Sequence, residues 1–272
     1  MDFNRKNFKK AALAQLEGRW TPAVLFGLFF LVIYFLCFVP VFVSMIGFGG
    51  GNIENASKDY LITHFITFYL ITLVIISIIL PLLITAYVYS ICEFRKTSEK
   101  IPLSVFFKGL SHWAKGLETV WYNIFRILLW YLLLGIIGFI AIMLIKKPGL
   151  IIWEIFSTIF AVRKTLQYSL SLYLLVENPQ IKVTETLANS IDYTECHLMD
   201  LFMLHLSFLG WYLLSVITAG IGLLWLAPYY VLTNYNAALF LKAESEEALK
   251  ANSNNPAAVK PEAGRMEENK NE

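Results

Sequence analysis

Arg163 and Lys164 stand side by side in a run, Leu150 to Val176, that is otherwise almost wholly apolar. Two adjacent cations in such a setting hold an anion or a lipid headgroup, or else pair with a carboxylate or with helix carbonyls. If the run is one helix, both lie about 20 Å of helix from either end, too far for their side chains to reach the headgroups. On insertion scales each central charge costs about 2.5–3.5 kcal/mol, and the fourteen Leu, Ile, Val and Phe residues of the run contribute about −0.3 to −0.6 kcal/mol each, a sum near zero. The run therefore needs neighbouring helices or a polar cavity to support it. Glu154, His64, Asn234 and Asn236 are the candidate partners, although Glu154 lies nine residues from Arg163 and so half a turn away in azimuth. Arg126, near one end of another apolar run, can snorkel to the headgroups. With Arg163, Lys164, Asn234 and Asn236 it completes the candidate ligand-binding set.

The other chemistry-bearing residues form no recognisable constellation. Glu195, Cys196, His197 and His205 are near one another, but the two histidines are eight residues apart and lack the i, i+4 spacing of paired metal ligands. Cys37, Cys92 and Cys196 are widely separated and form no C-x-x-C, so neither a metal site nor a disulfide framework is expected. Gly220-Ile221-Gly222 has no third glycine and no βαβ setting, which makes it a turn and not a nucleotide fingerprint. No nucleophile, base and oxyanion donor can be assembled, so the expectation is a non-enzymatic protein without a cofactor or metal.

The elements that carry these residues are apolar and long. Of 272 residues, 57% are hydrophobic and only 15% charged, too apolar for an ordinary soluble domain, and a net charge of +2 with no basic tract excludes nucleic acid as a partner. The fold class expected is all-α, a polytopic membrane helical bundle of about six transmembrane helices with interfacial helices on the cytoplasmic side. Residues 1–243 form the membrane domain, with spans at about 21–48, 61–92, 120–145, 150–176, 200–218 and 223–242. The last two follow from length: Leu201 to Leu241 would reach about 60 Å as one helix, so the chain must reverse near Gly220 and Gly222. Residues 150–176 could instead form a re-entrant hairpin, leaving five crossings.

Shorter amphipathic segments lie between the spans. Residues 3–18 set Lys9 and Lys10 beside Phe8, Ala12 and Leu16, a pattern suited to an anionic leaflet. After Pro102, Phe106, Leu110, Trp113 and Leu117 share one helical face, fit either for the membrane interface or for packing as a cap on the bundle. Val183, Leu187, Ile191 and Leu198 share another. A polar loop follows Gly49-Gly50-Gly51, and residues 244–272, with seven Glu against four Lys or Arg, are expected to form a disordered cytoplasmic tail. Sixteen Lys and Arg fall in the segments assigned to the inside against three outside, which places both termini in the cytoplasm of a multi-pass cell-membrane protein.

From Tyr168 to Leu241 the succession "YSLSLYLLVENP", "ETLANS" and "SFLGW" through "GIGLLWLAPYY", together with "AALAQLEGRWTPAV" near the amino terminus, resembles the bacterial membrane family catalogued as domain of unknown function 975. The resemblance implies a fold and a location but no reaction. That family is similar in outline to membrane domains attached to glycerophosphodiester phosphodiesterases, yet no phosphodiesterase domain is present here. The functional expectation is a scaffold, or a lipid- or anion-binding membrane protein, whose partners are the bilayer, anionic headgroups and a membrane protein of unknown identity. The alternative is a small-molecule or ion transporter, for which Pro40, Pro81 and Pro228 would break helices.

Overall fold

A computed structural model describes residues 3–40, 42, 58–99, 101–145 and 147–254. Every regular element among them is helical: α1 (Arg5–Leu16), α2 (Trp20–Leu36), α3 (Lys58–Lys96), α4 (Ser104–Leu110), α5 (Trp113–Ile145), α6 (Lys147–Tyr168), α7 (Ser171–Glu177), α8 (Val183–Thr194), a single 3₁₀ turn (Glu195–His197), α9 (Leu198–Leu206), α10 (Leu209–Ile217) and α11 (Leu223–Asn254). The polar loop after Gly49 and the tail beyond Asn254 lie outside the described residues.

Three helical stretches are long and apolar enough to cross a membrane: Ile66–Lys96, Trp113–Ile140 and Val183–Ile217. A fourth is added if α1 and α2, bent by 94° at their junction, count as one. Two of the other expected crossings fall short of that measure for compositional reasons. Helix α6 carries Glu154, Arg163 and Lys164, and α11 dilutes its apolar residues with Pro228, Asn234, Asn236 and several tyrosines.

The bend between α1 and α2 is built locally. Asn4 caps α1, its side chain accepting from the backbone N–H of Lys6 at 3.1 Å and of Asn7 at 3.4 Å. At the other end Gly18 takes φ +69°, which stops the helix without a Cβ clash. The Arg19 guanidinium then donates to the carbonyls of Thr97 (2.5 Å), Phe94 (2.9 Å) and Gln15, so one side chain closes the C-terminal ends of both α1 and α3. Phe8, Ala12 and Leu16 are buried against α11, so protein and not lipid covers the apolar face of α1.

Helix α3 runs unbroken through Pro81, and so does α11 through Pro228. Proline has no N–H, so Pro81 leaves the Ser77 carbonyl without its helical donor. The indole of Trp121 on α5 supplies one at 3.1 Å. The α5–α6 pair is stitched by two more indoles: Trp130 Nε1 donates to the Tyr168 hydroxyl at 3.2 Å and Trp153 Nε1 to the Leu134 carbonyl at 3.0 Å. Short α4 packs as a cap, with Phe106 fully buried at 5.0 Å from the Phe29 ring and 6.2 Å from Phe26, while Trp113 stays half exposed.

Three segments differ from the sequence expectation. Residues 150–176 are two helices, because α6 ends at Tyr168; the Ser169 and Ser171 hydroxyls donate to the carbonyls of Leu166 (2.7 Å) and Tyr168 (2.8 Å) and compete with the helical ladder. Residues 200–218 likewise break at Ser207 and Phe208, where the Ser207 hydroxyl donates to Leu204 O at 2.5 Å. The expected disorder from 244 gives way to helix as far as Asn254, since Ala-Glu-Ser-Glu-Glu-Ala-Leu-Lys-Ala is rich in strong helix formers.

Burial is uneven. A core of Phe8, Leu16, Phe26, Ile91, Phe94, Phe106, Leu201, Phe208, Tyr235 and their neighbours joins α1, α2, the second half of α3, α4 and α9 to α11. In contrast, α3 from Ile66 to Ile78, α5 from Trp121 to Leu144 and α6 from Leu150 to Val162 present exposed large apolar side chains turn after turn.

Candidate functional site

Arg163 and Lys164 lie within about a turn of the end of α6, not at the middle of a 27-residue helix. The break at Ser169 brings them close to α8, whose Ser190 hydroxyl donates to the Gln167 carbonyl at 2.6 Å. Arg163 is exposed and continues a stripe of Ile152, Ile155, Phe156 and Ile159, each more than half exposed. Lys164 turns the other way, toward α5. Its ammonium donates to Gln167 Oε1 at 2.9 Å and sits 4.9 Å from the Trp130 ring, 5.6 Å from Phe160 and 6.0 Å from Tyr168. Three aromatic faces around one ammonium form a cation–π cage.

Arg126 belongs to the same cluster. Both it and Arg163 act electrostatically on Lys164, as does Glu195 from the 3₁₀ turn. The Arg126 guanidinium lies 5.8 Å from the Tyr122 ring, and its Nε is buried with no hydrogen-bond partner. Among the described residues no carboxylate forms an ion pair with Arg126, Arg163 or Lys164. An orphaned buried donor among three unpaired cations is an arrangement that gains from an external anion.

Asn234 and Asn236 do not join them. Asn234 donates to the Tyr230 carbonyl at 2.8 Å, and its own Oδ1 is buried without a partner. Asn236 pairs amide to amide with Gln15 of α1, 3.2 Å each way, and accepts from Arg95 at 2.8 Å. Around it Tyr235 donates to Glu177, which Lys96 approaches at 3.8 Å, and Arg95 lies 5.8 Å from the Tyr235 ring. This network ties α1, α3, the end of α7 and α11 together, with Lys96 near Glu177 and Arg95 held by the Asn236 amide. The sequence marked Asn236 as polar within an apolar run but held no signal for Gln15 or Glu177, since their pairing depends on how distant helices cross.

The histidines divide as well. His197 lies 3.3 Å from Asp200 and 3.2 Å from Glu244, with the Phe3 ring stacked at 5.7 Å. His205 faces Tyr230, with 2.8 Å between Nδ1 and the phenol oxygen. Among the described residues no group of three or more His, Cys, Asp or Glu is arranged to hold a metal ion. Lys9 donates to the Ser207 carbonyl at 3.2 Å and lies 4.2 Å from the Phe208 ring; desolvation, and then repulsion from Arg5, lowers its pKa from the ordinary lysine value.

The fold defines an all-helical protein with three to four helices apolar enough to span a membrane. A family model described as protein of unknown function (DUF975) matches residues 1–243, and the chain belongs to that family. No curated protein and no solved structure matches it.

Proposed function

We propose that this is a non-enzymatic, multi-pass protein of the cell membrane that holds the headgroup of an anionic lipid at Arg126, Arg163 and Lys164. One observation carries the reading: Arg126 and Arg163 both act electrostatically on Lys164, and none of the three forms an ion pair with a carboxylate among the described residues, where the exposed apolar stripe of α6 ends. Exposed apolar faces on α3, α5 and α6 far exceed the few hundred Å² that soluble monomers present, which favours lipid as their cover. At the edge of such a surface an arginine meets lipid phosphates, and its planar fork suits a phosphate oxygen pair. Lys164 adds a point charge held in place by its aromatic cage. Both termini are assigned to the cytoplasm, on the side of α8.

Purified full-length protein, reconstituted in mixed phosphatidylglycerol and phosphatidylcholine, is expected to retain phosphatidylglycerol preferentially on extraction. Juxtamembrane cations contribute about 1 kcal/mol each, so a single Arg163→Gln should weaken that preference about fivefold, and adding Arg126→Gln and Lys164→Gln should abolish it. Equal retention of the two lipids by the unmodified protein, or an undiminished preference in the triple variant, overturns the reading.

A further inference from the structure

The reversal between α10 and α11 is built unlike a loop that meets water. No Asp, Glu, Lys or Arg occurs from Leu201 to Leu241, and beside the turn Val216, Ile217 and Ile221 are 74%, 80% and 61% exposed. Its backbone is nevertheless self-contained. Each of the nine N–H groups from Thr218 to Leu226 donates inside the hairpin, eight to carbonyls and that of Gly222 to the Thr218 hydroxyl at 3.1 Å. The hydroxyls do the same: Ser215 donates to Trp211 O at 2.8 Å and Thr218 to Ser215 O at 3.0 Å. Ala219 and Gly220 take φ +51° and +88°, which lets the chain reverse within so few residues. Internal satisfaction of each of these donors is what hydrocarbon demands and water does not.

The depth of the turn follows from its neighbours. Arg19 donates to Phe94 O at 2.9 Å and Arg95 to Asn236 Oδ1 at 2.8 Å, so α2, α3 and α11 share one level, where Glu93, Lys96 and Glu177 also collect. They share a second level at Gly27, where a Cβ would lie 3.4 Å from Leu224 Cδ2 and 4.0 Å from the Tyr87 ring. Eight residues on α2, eight on α3 and twelve on α11 separate the two, about 12, 12 and 18 Å of helix. Gly222 lies two residues beyond Leu224, so the turn stops roughly 15–20 Å below the charged level, short of a hydrocarbon core of about 30 Å. Helix α3 runs on from Tyr87 to Lys58, about 44 Å further. The descending arm agrees. His197 meets Glu244 at 3.2 Å, eight residues or about 12 Å from Asn236 on the side away from the turn, and Leu198–Ile217 reaches about 30 Å in all, which leaves about 18 Å below Asn236.

We infer that α10 and the first turns of α11 form a re-entrant hairpin whose tip, Thr218–Gly222, ends inside the bilayer, an assignment that rests on the membrane reading above. The expected spans 200–218 and 223–242 become the two arms of this hairpin, and both termini keep the same side. Leu209→Cys, Leu213→Cys, Ile217→Cys and Ile221→Cys replace exposed residues and are each made with Cys196→Ser, the buried Cys37 and Cys92 left in place. The full chain is spin-labelled and reconstituted in phosphatidylcholine and phosphatidylglycerol vesicles. Collision with oxygen, which concentrates at the bilayer centre, relative to a water-soluble nickel chelate should rise from position 209 to position 221. Two complete crossings give the opposite gradient, highest near position 209 and falling to the value for water at position 221, and that result overturns the hairpin alone. Reaction of Ile221→Cys with an impermeant maleimide added to intact cells overturns it as well. Nickel collision dominating at all four positions overturns the membrane reading itself.

Discussion

At the scale of single residues, the molecule treats its buried polar groups in two ways. Around Asn236 each has a partner: Gln15 and Arg95 meet its amide, Tyr235 meets Glu177, and Lys96 meets Glu177 and Glu93. Replacing Asn236 with Leu strands the Gln15 amide and an Arg95 donor together. Leaving a buried group unsatisfied costs about 1–3 kcal/mol, so Asn236→Leu should lower the unfolding midpoint in detergent clearly. Asn234→Leu removes an amide whose Oδ1 is already unpaired and should cost much less. Equal losses for the two would contradict this account. Around Arg126, by contrast, a buried nitrogen is left open, as are buried oxygens of Thr72, Tyr87, Asn123, Asn234 and Glu244; among these six atoms Arg126 Nε alone belongs to a cation.

At the scale of elements, the Pro81 region shows one helix completing another. Trp121 of α5 donates to the Ser77 carbonyl that Pro81 deprives of its helical partner. Trp121→Phe should therefore destabilise the protein by about 1–3 kcal/mol beside Pro81, and by clearly less beside Pro81→Ala, which restores a backbone donor. A double-mutant cycle on thermal unfolding measures that coupling, and a zero value would refute it. The apolar periods of α3 and α5 were legible in the sequence because lipid-facing helices need only continuous hydrophobicity. The breaks at Ser169 and Ser207 were not, since serine hydroxyls cap carbonyls in some helices and sit harmlessly in others. Arg163 and Lys164 stood out by charge alone, but their distance from the helix end depended on the break.

At the scale of the whole molecule, a packed half holds the polar junction and an apolar half is open along α3, α5 and α6. If the exposed 3₁₀ turn faces the cytoplasm, exposed Cys196 reacts with a membrane-impermeant maleimide in inside-out vesicles and not in intact cells, while buried Cys37 and Cys92 stay unreacted in both. Labelling of Cys196 from outside intact cells would reverse the orientation. The docking of α1 on α11 also sets an order of assembly. Gln15 and Asn236 are 221 positions apart, so α1 is completed by a helix synthesised much later. At about 5–20 residues per second, the face of Phe8, Ala12 and Leu16 waits roughly 10–50 s for its partner. Through that interval an amphipathic, lysine-bearing helix can shelter its apolar face on the membrane surface. The contact that native packing later conceals can thus serve the nascent chain as a temporary mooring.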